Sequence, residues 1–369
     1  MTINLFDTEV PSDTLHSKVG HLMAMPHERA ILEAWAEKFI DRDGNGKSVH
    51  EFRTTFHSSF FELYLHAVLK AQRMRVDLSH HAPDFLVTGP TPFAIEAVTA
   101  GIKEGGLAED TRTVEDVESM FIPPWNNPDF EDALAEGTVR YSSVLTGKAK
   151  KYLASYNKLA WMPSELPYVI ALGSFAQVNY GSEHHYSILA LLFGYVFDAG
   201  SRSFVKQRHI CKPGTNVSID IDLFSRDDFK HVAAVMFTCT LTLGKLTSLV
   251  ISADISSMNS VRLLRSDDGD NPYSFQIVSE QHPEDLLDGL FILHNPNATH
   301  PVPPSAFADT NIVHVRGAKH GLTFESVLPP LMARINRTWA EGGGTDRYAL
   351  PRSAYCVQRM SSRAALVTQ

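Results

Sequence analysis

Three acidic residues stand where acids are costly or disfavoured. Glu62 lies inside FFELYLHAVL, Asp84 follows Pro83 at the head of APDFLV, and Glu96 occupies the centre of FAIEAVT. A buried carboxylate without a partner is unfavourable, and acids are poor strand formers. An Asp and a Glu on adjacent strands of one hairpin therefore suggest a task. Adjacent strands run about 4.8 Å apart, so both side chains can reach one hard cation. Oxygen ligands of this kind suit Mg²⁺ or Mn²⁺, which keep several waters and bind phosphate oxygens. For Glu62 taken alone, the competing reading is a side chain turned to solvent or to an arginine.

The elements that position these acids follow from hydrophobic spacing. Ile31, Leu32, Trp35 and Phe39 predict a helix over 27–40, and a second helical pattern runs from Thr55 to Gln72. The period then shortens. Ala82 to Val87 and Pro92 to Thr99 read as strands around the turn Thr88-Gly89-Pro90-Thr91. Residues 101–136 read as an acidic, loop-like insertion, because Pro123-Pro124 and Asn126-Asn127-Pro128 break any regular pattern. A helix from Ser142 to Tyr156, a buried strand Pro167 to Phe175 and a helix from His184 to Phe197 follow. Strand-like pieces then appear at 203–208, 216–221, 231–241 and 290–293. The fold class is α/β with a strand-richer C-terminal half.

Pro83-Asp84, eleven intervening residues, and Glu96-Ala97-Val98 on a hairpin, preceded by a helix bearing Glu62, resemble the PD-(D/E)XK nuclease superfamily. FRTTFHSSFFELYL followed by PDFLV and IEA is similar to uncharacterised bacterial members of it. The helix carrying Lys148-Ala149-Lys150-Lys151-Tyr152 and the strand PYVIALGSF resemble the elements that complete that core. The resemblance spans about residues 48–197. It implies a restriction-endonuclease-like core, a mixed central sheet flanked by helices, over 48–197. An N-terminal helical segment occupies 1–47, and a strand-rich C-terminal extension packed on the core occupies 198–369. It further implies a metal-dependent, endonuclease-type hydrolase of nucleic-acid phosphodiesters, with DNA ahead of RNA. Asp84 and Glu96 would hold Mg²⁺ (or Mn²⁺), and Glu62 a second ion or its water. Cutting two strands would suit a homodimer.

One position departs from the family pattern. Val98 stands where a lysine is expected, two residues after the second acid. Lys103, Lys148 and Lys151 are the substitutes available, and Lys148-xxx-Tyr152 fits a family variant that supplies site residues from the following helix. Lys148 is accordingly assigned to position the nucleophile, as an ammonium acting as a point charge can. The alternative is an inactive binding or scaffold protein on the same core.

Other signals are weaker. Asp41-Arg42-Asp43-Gly44-Asn45-Gly46 opens like a calcium loop, yet its twelfth position is Phe52, and it reads as a helix-terminating loop. Thr146-Gly147-Lys148 lacks the first glycine and the hydroxyl of a phosphate loop. His80-His81 precede Asp84, and alternation in a strand would bring at most one of them to the site. His184-His185 read as flanking a helix, and His294-Asn295-Pro296-Asn297 as a turn or a substrate loop.

Composition narrows the classes. Cys211, Cys239 and Cys356 are too few and scattered for a disulfide framework or a zinc site. No apolar run approaches the roughly 20 residues of a membrane span. MTINLFDTEVPSD carries no basic-then-apolar leader, so the chain reads as cytoplasmic with no membrane partner. The net charge of −9 opposes a polyanionic partner until it is mapped. Residues 101–136 hold ten acids against two bases, whereas Arg140 to Trp161 carries five bases and no acid. The segment nearest the acids is thus locally basic.

Overall fold

The computed structural model describes residues 4–6, 14–40, 46–102, 122–175, 183–256, 258–265, 273–307 and 311–337. The Asp41–Asn45 part of the calcium-like loop, the stretch 103–121 of the acidic insertion with Lys103, and Cys356 lie outside them.

Four helices open the chain: α1 (Ser17–Met23), α2 (Pro26–Ala36), α3 (Lys47–Thr54) and α4 (His57–Ala71). Ten of the fifteen residues of α4 are buried, which is the pattern of a helix covered on more than one side. The sheet covers one side. On the other lies α2, whose Trp35 packs on Phe60 and Tyr64 at ring distances of 6.0 and 5.8 Å.

The sheet-forming strands in chain order begin β1 (Arg75–Asp77), β2 (Phe85–Gly89), β3 (Phe93–Ala100) and, after helix α5 (Phe130–Ala154), β4 (Tyr168–Ser174). Helix α6 (Tyr186–Phe193) leads to two small hairpins, β5 (Tyr195–Asp198) with β6 (Ser203–Lys206), and β7 (His209–Cys211) with β8 (Ser218–Asp220). Then come β9 (Val232–Thr238), α7 (Leu243–Ser252), β10 (Asn259–Arg265), β11 (Tyr273–Ile277) and β12 (Phe291–His294). The last are β13 (Val313–Ala318), β14 (Gly321–Glu325) and β15 (Leu331–Arg337).

One eight-stranded mixed sheet has the order β1-β2-β3-β4-β9-β12-β13-β14. β1, β2 and β3 form an antiparallel meander, and β3, β4 and β9 run parallel. Every residue of β4 (YVIALGS) and β9 (VAAVMFT) is buried, as central parallel strands covered on both faces require. Phe93, Ile95 and Ala97 point into a core shared with α2 and α4, whereas Ala94 and Ala100 point into one shared with α5 and α6. The mixed α/β class therefore stands, with helices on both faces.

Two expectations change. The boundary at 197/198 separates no layers, because four strands of the large sheet come from each side of it. The described residues after 198 thus supply half of the large sheet's strands, the three-stranded sheet of order β11-β10-β15 and most of the two small hairpins. The other change concerns 130–136, read as loop, which already belongs to α5. Glu131 and Asp132 sit in its first turn, where acids complement the helix dipole.

Candidate active site

The hairpin register decides which acids meet. Phe85 pairs with Ile95 and Leu86 with Ala94, so one step further places Asp84 opposite Glu96. Both then share the face of Leu86 and Ala94, toward α5. Regular pairing stops there, and the Asp84 carboxylate continues it: Oδ2 accepts the Ala97 N–H at 2.7 Å. Beyond that point β2 has left β3, which goes on with β4 as its neighbour.

Glu96 is 3 % exposed. A carboxylate at that depth needs donors, and two hydrogen bonds and one longer ion pair converge on its Oε1. Lys148 Nζ lies at 2.6 Å, the Tyr156 hydroxyl donates at 2.8 Å, and Lys151 Nζ stands at 3.6 Å. Hydrogen bonds to a charged group contribute about 1.5–3 kcal/mol each, enough to hold a buried carboxylate. α5 delivers both lysines; it ends at Ala154, and a 3-10 turn over Tyr156–Lys158 folds the tyrosine back onto the acid. Lys158 Nζ closes that turn on the Ala154 carbonyl at 2.8 Å, a common use of lysine at a helix end.

Tyrosines floor the site. Tyr152 packs on Tyr168 at 4.5 Å, and His231 stacks on Tyr152 at 4.9 Å while bonding the Ala149 carbonyl at 3.0 Å. Burial pushes the Tyr168 phenol well above its ordinary range, and the nearby charges of Glu96 and Asp84 push it the same way. Burial likewise raises Tyr152 and lowers His231. These rings therefore stay uncharged supports. At the far end of α5 a second buried acid, Glu183, is raised by burial to about 7 despite its 3.2 Å ion pair with Arg140.

The positions of the expected residues differ in outcome. Glu96 and Lys148 meet at 2.6 Å, and Asp84 bonds the N–H of Ala97, the residue after Glu96. Glu62 does not join them in a three-acid metal cluster: α4 covers the opposite face of the sheet, where its Ser58 meets Thr99 at 3.3 Å. Among the described residues no group of three or more His, Cys, Asp or Glu side chains is placed to hold a metal ion. The reason is strand parity, which sends Glu96 toward α5 and Thr99 toward α4. Val98 shares the Glu96 face and packs on the apolar core, so the ammonium arrives from α5 instead of from β3. Of the spaced tyrosines, Tyr156 rather than Tyr152 reaches the acid. The sequence signal was present, since both follow Lys148 at multiples of four, but only the break at Ser155 turns the second one inward.

His80 and His81 lie in irregular chain, so strand alternation does not apply, and both rings contact Trp161. His185 takes the N-cap position of α6. Asn295 donates to the Phe229 and Val232 carbonyls at 3.1 and 2.8 Å, which makes HNPN a structural turn. No described helix is long and apolar enough to cross a membrane. Compared with protein-family models, with curated proteins and with solved structures, the chain matches none.

Proposed function

We propose that the protein is a metal-dependent phosphodiesterase acting on nucleic acid, DNA ahead of RNA, built on a restriction-endonuclease-like core. The observation that carries this reading is the Lys148 ammonium 2.6 Å from Glu96, beside Asp84 on the Ala97 N–H. The helix α4, the meander β1-β2-β3, the helix α5 and the parallel strand β4 supply the αβββαβ order such a core would have.

Asp84 and Glu96, side by side on one face, are a donor set that fits a hard dication retaining most of its waters. When bound, Mg²⁺ or Mn²⁺ supplies Lewis-acid stabilisation of phosphate oxygens and a more acidic water. The chain's own residues do the rest. Lys148, 23 % exposed at its side chain, places an ammonium between the acid and solvent, where it orients the attacking water and the phosphate. Tyr156 donates to Glu96 Oε1 and holds the carboxylate in place. Lys151, 54 % exposed, adds positive charge at the mouth for the approaching backbone.

A second reading has its own support: two ammonium groups and a phenol already satisfy the Glu96 carboxylate oxygen with no metal ion, as an inactive binding protein would need. Incubating the protein with plasmid DNA, single-stranded DNA and RNA in Mg²⁺ and in Mn²⁺ separates the two. The enzyme reading expects cleavage of at least one substrate, abolished in Asp84→Ala and Glu96→Ala. Cleavage that survives both substitutions removes this site, and inert protein with every substrate favours the scaffold.

A further inference from the structure

Beside the acids the molecule carries a group of rings that hydrolysis does not use. The Trp161 indole donates from Nε1 to the Ala82 carbonyl at 2.7 Å, which ties it to the segment two residues before Asp84. His80 lies flat on that indole, with ring centroids 4.4 Å apart and planes 3° from parallel. His81 meets it edge-on at 5.4 Å and 81°. Asp77 holds the His80 ring from Nε2 at 3.5 Å.

These rings sit at the surface. The His80 side chain is 28 % exposed, Trp161 is half-buried and His81 is exposed. One short loop sets them against the site, because Tyr156 reaches Glu96 and Trp161, five residues later, reaches Ala82. The same stretch supplies cations: Lys148, Lys150, Lys151 and Lys158, with no acid between Arg140 and Trp161. Planar π-faces beside a basic track form the combination by which unpaired nucleic acid is held, its bases stacking on rings and its phosphates following the cations.

We infer that His80, Trp161 and His81 form a stacking shelf for an unpaired nucleobase of a single-stranded nucleic acid bound across the Asp84–Glu96 site. This rests on the phosphodiesterase reading for its choice of partner, and its test needs no cleavage. In EDTA, fluorescence anisotropy compares a labelled oligothymidylate with an abasic oligonucleotide of equal length, which has the same phosphates and no bases. The native chain is expected to hold the base-bearing strand at least about fivefold more tightly. His80→Ala and Trp161→Leu are expected to reduce that affinity to the abasic level and leave abasic binding unchanged. His80 is partly exposed, so its variant keeps the test open if the Trp161 variant misfolds. Equal affinity of the native chain for both strands, no binding of either, or a base preference intact in folded His80→Ala overturns the shelf. Base-dependent binding by a protein inert with every metal sinks the hydrolysis reading alone, whereas cleavage without base preference sinks the shelf alone.

Discussion

Two carboxylates in this protein are each held by two cations, and they differ in everything else. Glu284 accepts Lys245 Nζ at 2.8 Å and Arg334 at 2.6 Å, and all three side chains are 2 % exposed or less. Lys245 also bonds the Asp288 carbonyl at 2.9 Å, and Arg334 the same carbonyl at 3.0 Å. Arg262 completes the cluster on the Asp288 carboxylate and the Pro283 carbonyl. The cluster ties α7, β10 and β15 to the loop before β12 through these buried ion pairs and carbonyl contacts. Glu96 has the same charges around it, but its lysines are 23 % and 54 % exposed on flexible stems. Buried charges paired within the protein staple a structure. Charges that water can reach are free to exchange partners, and only the second kind can meet a substrate.

The largest expected effect lies in the staple. Glu284→Gln leaves two buried cations without their countercharge and should lower stability by about 3–5 kcal/mol in urea unfolding. Loss no greater than that of a surface substitution would erase the contrast between the two regions.

The staple should also show in acid. Burial alone would raise the Glu284 carboxyl, but the charges of Arg334 and Lys245 outweigh it and bring it from the usual 4.5 to about 2. A depressed carboxyl contributes stability that is complete above the unfolded value and lost as pH falls through the folded one. Between pH 4.5 and 2 the native chain should therefore lose roughly 3 kcal/mol through this group, and Glu284→Gln should flatten that slope. Burial acts oppositely on Glu183, raised to about 7: its contribution is present below pH 4.5 and lost as pH rises through 7. Glu183→Gln is thus expected to be more favourable, relative to the native chain, at pH 8 than at pH 4, by thermal unfolding at both values.

Smaller effects belong to the open site. Glu96→Gln keeps an acceptor for Tyr156 and releases lysines that reach solvent, so about 1–2 kcal/mol is the expected loss of stability. Lys151→Met should change stability by no more than about 0.5 kcal/mol. A larger loss would show that Lys151 is a structural ion pair.

The difference between the regions also marks what could be read in the sequence. Asp84 and Glu96 were legible because a hairpin has one register and two faces, and α4 and β4 because their apolar runs are long. Glu62 was hard to place because α4 is apolar nearly all round, which leaves no polar stripe to say which way an acid points. The first turns of α5 were hidden by DFEDALAE, whose acids read as solvated loop. β13 alternates buried and half-buried residues only over its first four positions and β14 has no buried residue, so neither offers an apolar run. The staple was invisible for a different reason: Lys245, Glu284 and Arg334 lie 39 and 50 residues apart along the chain and meet through tertiary packing alone.

The measurement that bears most directly on the open site is the rate of single-stranded DNA hydrolysis in Mg²⁺ or Mn²⁺ for the native chain, Glu96→Gln and Glu284→Gln, each under conditions where it is folded. Glu96→Gln should lose at least about 100-fold in rate, as removal of a group that stabilises developing charge does, while folded Glu284→Gln keeps the native rate. Native hydrolysis in Glu96→Gln would contradict the assignment of Asp84, Glu96 and Lys148 as the reactive centre.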